Sequence, residues 1–340
     1  MSINKILVVG AAWVGDMVLA QSLFKLIKRR DPAVEIDVLA PPWTLPLLQR
    51  MPEVHEALQL PFQHRQLKLA ARYRLARTLR DRSYGQAIVL PNSLKSALIP
   101  FWAKIPLRTG YVGEWRWGLL NDVRRLDKTR LPMTVQRFAA LGLEKGAALP
   151  SEPPRPNLAV TDSGVEMALT RLSLERPAVP LLALCPGAEY GPAKRWPVEY
   201  YAEIARAKLA QGWQVWLFGS EKDSEITAAL RALAGPQCVD LAGRTSLAEA
   251  IDLLSLADLA VSNDSGLMHV AAALGRRLVA IYGSSDPGFT PPLSAYAKVQ
   301  WLGLSCSPCF QRECPLGHLN CLREIKPEQV VRAMGEAAVI

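Results

Sequence analysis

Along the chain, short runs of aliphatic and β-branched residues alternate with longer stretches whose apolar positions recur at helical spacing. That alternation predicts βα units packed around parallel sheets. Two such series are present. In the first, Lys5–Val9, Glu35–Leu39 and Gln86–Leu90 read as strands and Met17–Arg29 as a helix. In the second, Leu181–Cys185, Gln214–Phe218, Leu259–Ser262 and Leu278–Tyr282 read as strands, with helices near Val198–Gln211, Ser224–Ala234, Leu247–Ser255 and Gly266–Leu274. Between the series, Pro150, Pro153, Pro154 and Pro156 forbid a continuous helix and suggest an extended connector. The pattern predicts an α/β protein with two doubly wound parallel-sheet domains facing a central cleft. The expected divisions are residues 1–155, residues 156–325 and a C-terminal helix over 326–340 that packs back on the first domain. Ligands of such sheets bind beyond the carboxyl ends of the strands, so the loops that follow strands hold the candidate chemistry.

Composition narrows the class. With 340 residues, 50% hydrophobic and 21% charged, the chain is neither a disulfide-stapled miniprotein nor wholly disordered. Its uncharged runs fall short of the roughly 18 apolar residues that a membrane span needs. The opening MSINKILVVG passes directly into an apolar run with no secretory h-region or cleavage site, so a cytoplasmic location is expected. Charge is uneven. Residues 1–160 hold 24 Lys and Arg against 12 Asp and Glu, a net +12, whereas residues 161–340 hold 16 against 19, a net −3. An N-terminal half this basic predicts a polyanionic partner such as an anionic membrane face or a phosphorylated substrate. Nucleic acid is not favoured, because no RRM, KH or zinc-finger signature is present. The densest basic segment is Arg65–Arg82, in which Arg65, Lys68 and Arg72 recur at helical spacing as a solvated face or an anion-binding stripe.

Three loops carry candidate chemistry. Gly10 to Met17 has the glycine spacing of a Walker A loop, but Asp16 and Met17 stand where Lys and Ser/Thr are required, and no G-x-G-x-x-G is present. Asp16 is either a favourable first-turn carboxylate or a general base. The loop Cys185–Pro197 brings Lys194 and Arg195 to the mouth of a strand end, as a surface pair or as cations for a phosphate leaving group. In Val261–His269, Asp264 or Ser265 can cap a helix and Gly266 allows close approach to the backbone. The free amides of the first turn form an anion site that His269 could supplement.

Assembled, these segments resemble the glycosyltransferases of family 9, which add heptose to the lipopolysaccharide inner core. The resemblance spans nearly the whole chain, through VGAAWVGDMVLAQSL, MPEVHEA, VLPNSLKSALIPF, RTGYVGEWRWGLLNDVRRLDK, CPGAEYGPAKRWP, LFGSEKD, LAGRTSL, NDSGLMHVAAAL and FTPPLS. The block Tyr111–Asp127 and the loop Pro186–Pro197 look most like members that add the second heptose. The resemblance implies a GT-B fold of two Rossmann-like domains and an inverting transfer, without a catalytic metal, from ADP-heptose to the first heptose of Kdo2-lipid A. Members adding the first or third heptose, and a nucleotide-sugar epimerase of similar fold, are the alternatives.

The resemblance also assigns roles. Asp16 would be the base and Lys194 would stabilise the departing ADP, with Arg195 beside it. Glu221 would touch the ribose, Thr245 the adenine side, Asp264 the heptose hydroxyls, and Ser265, Gly266 and His269 the diphosphate. The acceptor would meet Arg65, Lys68, Arg72, Lys95, Arg108 and Arg116 on the cytoplasmic face of the inner membrane, where the protein would be peripheral. Outside the family pattern stand Cys306, Cys309, Cys314 and Cys321, with His318 among them. Their clustering suggests either free thiols or a structural zinc site, although only one C-x2-C pair is present. Cys185 and Cys238 read as small buried hydrophobes.

Overall fold

Runs that are apolar on both faces become central strands, because parallel strands are covered by helices on each side. In the computed structural model, which describes residues 3–62 and 66–335, the chain forms two units, Met1–Pro156 and Asn157–Ile340. Each contains a six-stranded, wholly parallel sheet.

The N-terminal unit runs β1 (Lys5–Val9), α1 (Val14–Arg30), β2 (Glu35–Ala40), α2 (Leu45–Leu48), β3 (Glu56–Gln59) and α3 (Leu69–Arg80). It continues through β4 (Gln86–Val89), α4 (Leu94–Trp102), β5 (Leu107–Tyr111), β6 (Asp122–Arg124) and α5 (Thr134–Leu141). The strand order is β3-β2-β1-β4-β5-β6, so the chain builds outward from β1 in one direction and then returns to its other side. Ile6, Leu7, Val8 and Val9 of β1 are buried, as are the α1 side chains from Met17 to Leu23. α1 packs on α5. The connector is tied to α1 as well: Ser22 Oγ donates to the Pro154 carbonyl at 2.5 Å and Lys25 Nζ to that of Arg155 at 2.8 Å.

Within this sheet lies one fully buried carboxylate, Asp37. It accepts from Tyr84 Oη at 2.6 Å and contacts His55 Nδ1 at 2.9 Å, Lys5 Nζ at 3.3 Å and an Arg82 nitrogen at 3.6 Å. Burial pushes its carboxyl up, but the hydrogen bonds from Tyr84 and His55 and the Lys5 charge outweigh burial and hold it below the usual carboxylate range. The network joins β1, β2, the segment before β3 and the segment before β4.

The C-terminal unit runs α6 (Asp162–Leu172), β7 (Leu181–Cys185), α7 (Val198–Ala210), β8 (Gln214–Leu217), α8 (Ser224–Ala234), β9 (Val239–Asp240) and α9 (Leu247–Leu254). It ends with β10 (Leu259–Asn263), α10 (Gly266–Ala273), β11 (Arg277–Ile281), β12 (Ala297–Gln300), α11 (Asn320–Arg323) and α12 (Pro327–Ala333). Strand order is β12-β11-β10-β7-β8-β9, the same outward-and-return plan. Its core gathers Trp196, Tyr201, Ile204, Val215 and Leu217 around the central strands. Trp196 stacks edge-on against Tyr201 at 4.9 Å and donates its indole N–H to the Ile325 carbonyl at 2.8 Å. Helix α12 packs on α7 and β12, with Val330, Val331 and Met334 entering this same core.

Replacing Asp37 by Ala removes the shared partner of four side chains, Tyr84, His55, Lys5 and Arg82, and should lower stability by about 3 kcal/mol in urea unfolding. Tyr84→Phe, which removes one donor, should cost about 1 kcal/mol. Because the Asp37 carboxyl is held below its unfolded value, its contribution is present above the unfolded carboxylate range and is lost as pH falls through the folded value. The gap between wild type and Asp37→Ala should therefore narrow in acid.

Candidate active site

In each sheet the chain reverses its direction of building between two neighbouring strands, and the loops leaving those strands diverge to opposite faces. These points are β1/β4 and β7/β10. Each candidate loop of the sequence leaves a strand at one of them.

At β1/β4, Gly10 closes the turn. A Cβ there would lie 2.6 Å from Met17 Cε and 3.2 Å from Val38 Cγ1, so a side chain at this position would displace the Met17 methyl and crowd Val38. Trp13 stands at the N-cap without a side-chain cap bond, and Asp16, half-buried, falls in the first helical turn. The loop is held from outside by Trp43, whose indole N–H donates to the Ala12 carbonyl at 2.8 Å. The β4–α4 loop lies alongside, with Leu90 N donating to Val9 O at 3.1 Å.

The basic residues assigned to the acceptor separate into distinct groups. Arg65 lies outside the described residues. Lys68, exposed, caps α3 in a left-handed conformation (φ 40°), and Lys95 is half-buried at the start of α4. Of the expected stripe, Lys68 and Arg72 do not share an exposed helical face: the helix begins only at Leu69, and Arg72 turns inward. Its guanidinium donates to the carbonyls of Leu67 (2.7 Å), Gln66 (3.1 Å) and Lys95 (3.4 Å) and stacks 4.5 Å from the Phe62 ring. Arg116, also buried, donates to Pro91 O at 2.7 Å, Asn92 Oδ1 at 3.1 Å and Tyr111 O. Arg108 donates to Leu119 O and Ile105 O, both at 2.6 Å. Burial lowers the pKa of all three guanidiniums, although each remains a cation at neutral pH. Arg72 and Arg116 fasten loops by their carbonyls at the carboxyl end of this sheet, whereas Arg108 ties together the segments that enter β5 and β6 at its amino end.

At β7/β10 the cationic loop and the acidic turn meet directly. Lys194 ends a short 3-10 turn, Pro192–Lys194, and its Nζ lies 2.5 Å from Asp264 Oδ2. Asp264 is buried and accepts a second hydrogen bond on the same oxygen from Ser285 Oγ. Ser265 caps α10 by position, without a side-chain cap bond, and Gly266 begins the helix. His269 is buried one turn on. Burial drives its imidazole down to about 4; Asp264 opposes that shift and Lys194 adds to it, so the ring is neutral at physiological pH. Arg195 donates weakly to Ala188 O at 3.4 Å, while its Nε is buried without a partner.

Asn263, absent from the sequence-derived candidates, holds this arrangement together. Its Oδ1 accepts from Trp196 N (3.1 Å) and Tyr201 Oη (3.0 Å), and its Nδ2 donates to Pro186 O (2.6 Å). One buried amide thus pins both ends of the Lys194 loop to the strand that delivers Asp264. The only sequence signal was a polar residue completing an apolar strand.

Two further candidates share the β8/β9 side. Glu221 opens a 3-10 turn after β8, and Gly243, in the left-handed region at φ +69°, leaves room for it: a Cβ there would lie 2.3 Å from Glu221 Oε2. Thr245 follows in the same loop, its hydroxyl 3.4 Å from Leu241 O. Lys222 bridges to Glu189 of the Lys194 loop at 2.5 Å. Lys194, Asp264, Ser265, Gly266, His269, Glu221 and Thr245 all lie on loops or first turns at one end of one sheet.

The zinc expectation is not supported. Cys306, Cys309, Cys314 and Cys321 border a cavity of about 20 Å³ with His318, but their sulfurs do not converge to ligand distance, and all are free thiols. Burial pushes the Cys321 thiol up to about 11, while backbone hydrogen bonds, that to Leu319 first, lower the Cys314 thiol. Among the described residues, only Asp37, His55 and Glu56 bring potential ligand atoms within mutual reach, and Lys5 and Arg82 already neutralise that group. The cysteine segment instead buttresses the Lys194 loop: Ala193 N donates to Arg312 O at 3.0 Å and Phe310 N to Ser284 O at 2.7 Å. Cys185 and Cys238 are buried among apolar residues, and burial lifts the Cys185 thiol to about 12.

Comparison with known proteins places this geometry in context. The profile of glycosyltransferase family 9 (heptosyltransferase) matches residues 72–320. Lipopolysaccharide heptosyltransferase 2 of Salmonella typhimurium is 48% identical over 339 residues, covering 97% of each chain, and that of Escherichia coli K12 is 47% identical over the same length and coverage. The solved structure of E. coli ADP-heptose lps heptosyltransferase II superposes with a TM-score of 0.87 at 44% identity, covering 97% of both chains.

Asn263→Ala should lower stability by about 2–3 kcal/mol in urea unfolding, because it leaves Pro186 O and Tyr201 Oη unpaired in the interior. For His269, the folded imidazole titrates below its unfolded value near 6.5, so its contribution is intact above that pH and is lost as pH falls toward about 4. Across that window, His269→Asn should flatten the acid loss of stability by on the order of 3 kcal/mol, read as the pH dependence of chemical unfolding.

Proposed function

Because the chain belongs to glycosyltransferase family 9, the heptosyltransferases, we propose that it transfers L-glycero-D-manno-heptose from ADP-heptose to the first heptose of a Kdo2-lipid A inner core. What carries this reading is end-to-end similarity to lipopolysaccharide heptosyltransferases 2, together with a Lys194–Asp264 pair at the switch point of the second sheet. An epimerase would need no acceptor and would leave Asp16 without a task.

In the proposed reaction the acceptor hydroxyl attacks the anomeric carbon of ADP-heptose with inversion. The carbon–oxygen bond to the diphosphate breaks, ADP leaves, and Asp16 takes the hydroxyl proton. Lys194 carries the charge that develops on the leaving diphosphate, helped by Arg195, the Ser265 and Gly266 turn, and a neutral N–H of His269. Asp264 accepts hydrogen bonds from heptose hydroxyls, exchanging its bond to Lys194 for bonds to the sugar. Glu221 receives ribose hydroxyls over Gly243, with Thr245 on the adenine side. Neither a metal nor a cofactor takes part in these steps.

On the acceptor side, Lys68 and Lys95 are the cations suited to Kdo carboxylates and lipid A phosphates. Arg72, Arg108 and Arg116 act as positioning residues, because their donors already hold backbone carbonyls. The lipid-linked acceptor places the protein peripherally on the cytoplasmic face of the inner membrane. No helix among the described residues is long and apolar enough to cross a bilayer.

The deciding experiment measures ADP release from ADP-heptose, in EDTA, with Kdo2-lipid A that carries or lacks the first heptose. Release is expected only with the heptosylated acceptor. Asp16→Ala should lower the rate by about 10²–10⁴-fold, and Lys194→Ala by about 10²–10³-fold. Release with the unheptosylated acceptor would reassign the chain to first-heptose transfer, and release without any acceptor would point to the epimerase reading.

A further inference from the structure

Helix α3 has the composition of a helix that lies on a surface. Its sequence, LAARYRLARTLR, holds four arginines and no acid. Ala76 and Leu79 face the core with Arg72, and Arg80 turns aside to donate both Nε and a terminal nitrogen to the Trp102 carbonyl. Arg74 and Arg77 remain in solvent on the opposite face. Large apolar side chains share that exposure: Leu67 at 50%, Leu69 at 48% and Tyr73 at 41%.

This face continues past the helix. Arg72 bridges the carbonyls before α3 to Lys95 O at the start of α4. There Leu94 N donates to Glu114 Oε2 at 3.0 Å, and Glu114 N donates to Asn92 O at 3.2 Å. The loop so fixed presents Trp115 at 87% exposure and Trp117 at 64%, while the buried Arg116 between them anchors it. Two tryptophans in water on a rigidly fastened loop, beside a helix with a cationic and apolar outer face, match the chemistry of a lipid headgroup boundary. Indole rings favour that boundary, arginines meet anionic headgroups, and leucine and tyrosine enter the acyl edge.

We infer that the outer face of α3 and the Trp115–Trp117 loop form a docking surface for an anionic phospholipid bilayer. The net +12 of the N-terminal half supplies the charge complementarity. A nucleic-acid partner fits less well, because no base-reading motif accompanies the basic residues. The inference deepens the proposed function, since it rests on an acceptor that is itself held in a bilayer.

The test is sedimentation of the full chain with vesicles of phosphatidylcholine alone or mixed with phosphatidylglycerol, without donor or acceptor. Wild type should partition onto the anionic vesicles and scarcely onto the neutral ones, with binding that weakens as salt rises. Arg74→Ser with Arg77→Ser should reduce partition by about 30-fold, at roughly 1 kcal/mol per arginine near an anionic surface. Leu69→Ser with Tyr73→Ser should reduce it at low and high salt alike, because an apolar contribution is not screened. ADP release with a deacylated, water-soluble acceptor should be unchanged in both double variants, which separates failure of docking from failure of the proposed reaction. No partition by wild type, equal partition by wild type and the arginine variant, or a variant effect on self-association or RNA binding in place of vesicle binding would overturn the inference.

Discussion

A parallel strand cannot follow its neighbour through a tight turn, and this constraint governs both units. Most crossovers here carry a helix, with loops sufficing only for the edge connections β5–β6 and β11–β12, the helices cover both faces, and the chain leaves the first strand of each sheet, β1 or β7, in one direction and returns to its other side. At the return, neighbouring loops part and backbone amides at helix starts face the opening. Asp16 occupies such a loop in the first sheet, and Lys194 with Asp264 in the second. The sites follow from strand order before any side chain is chosen.

What the side chains add is fixation, and the two units achieve it differently. The C-terminal unit uses an uncharged amide, Asn263, whose hydrogen-bonding atoms are engaged within the protein, so the Lys194 loop is pinned without placing another charge near Asp264. The N-terminal unit uses guanidiniums on carbonyls. Arg72, Arg108 and Arg116 each bind backbone oxygens in place of carboxylates, so their charge adds to the basic field of that half. Structural fastening and a net positive field thus come from the same residues.

This double use explains where the sequence could be read and where it could not. Central strands such as Leu181–Cys185 were legible because both faces are buried, and the loops after them followed from that. The edge strands Glu56–Gln59, Asp122–Arg124 and Ala297–Gln300 were not, because their half-exposed residues carry no apolar run. Arg72 and Arg116 could not be told from solvent-facing cations, since burial of an arginine on carbonyls leaves no mark in spacing. The four clustered cysteines suggested a ligand set by proximity in sequence, but their sulfurs spread around a small cavity instead of converging. Asn263 was invisible for the opposite reason: a lone asparagine at a strand end is ordinary until its three partners are seen.

The bond between Lys194 and Asp264 gives the second sheet an internal occupant of its own binding position. A ligand offering only a diphosphate draws Lys194 away and leaves a buried carboxylate short of one partner, whereas a ligand carrying both diphosphate and sugar satisfies the two together. On the reaction proposed above, the intact donor is therefore held better than the nucleotide it becomes. On the same reading, re-formation of the ion pair would help to expel the spent nucleotide, so that turnover would be assisted by a contact that competes with the product.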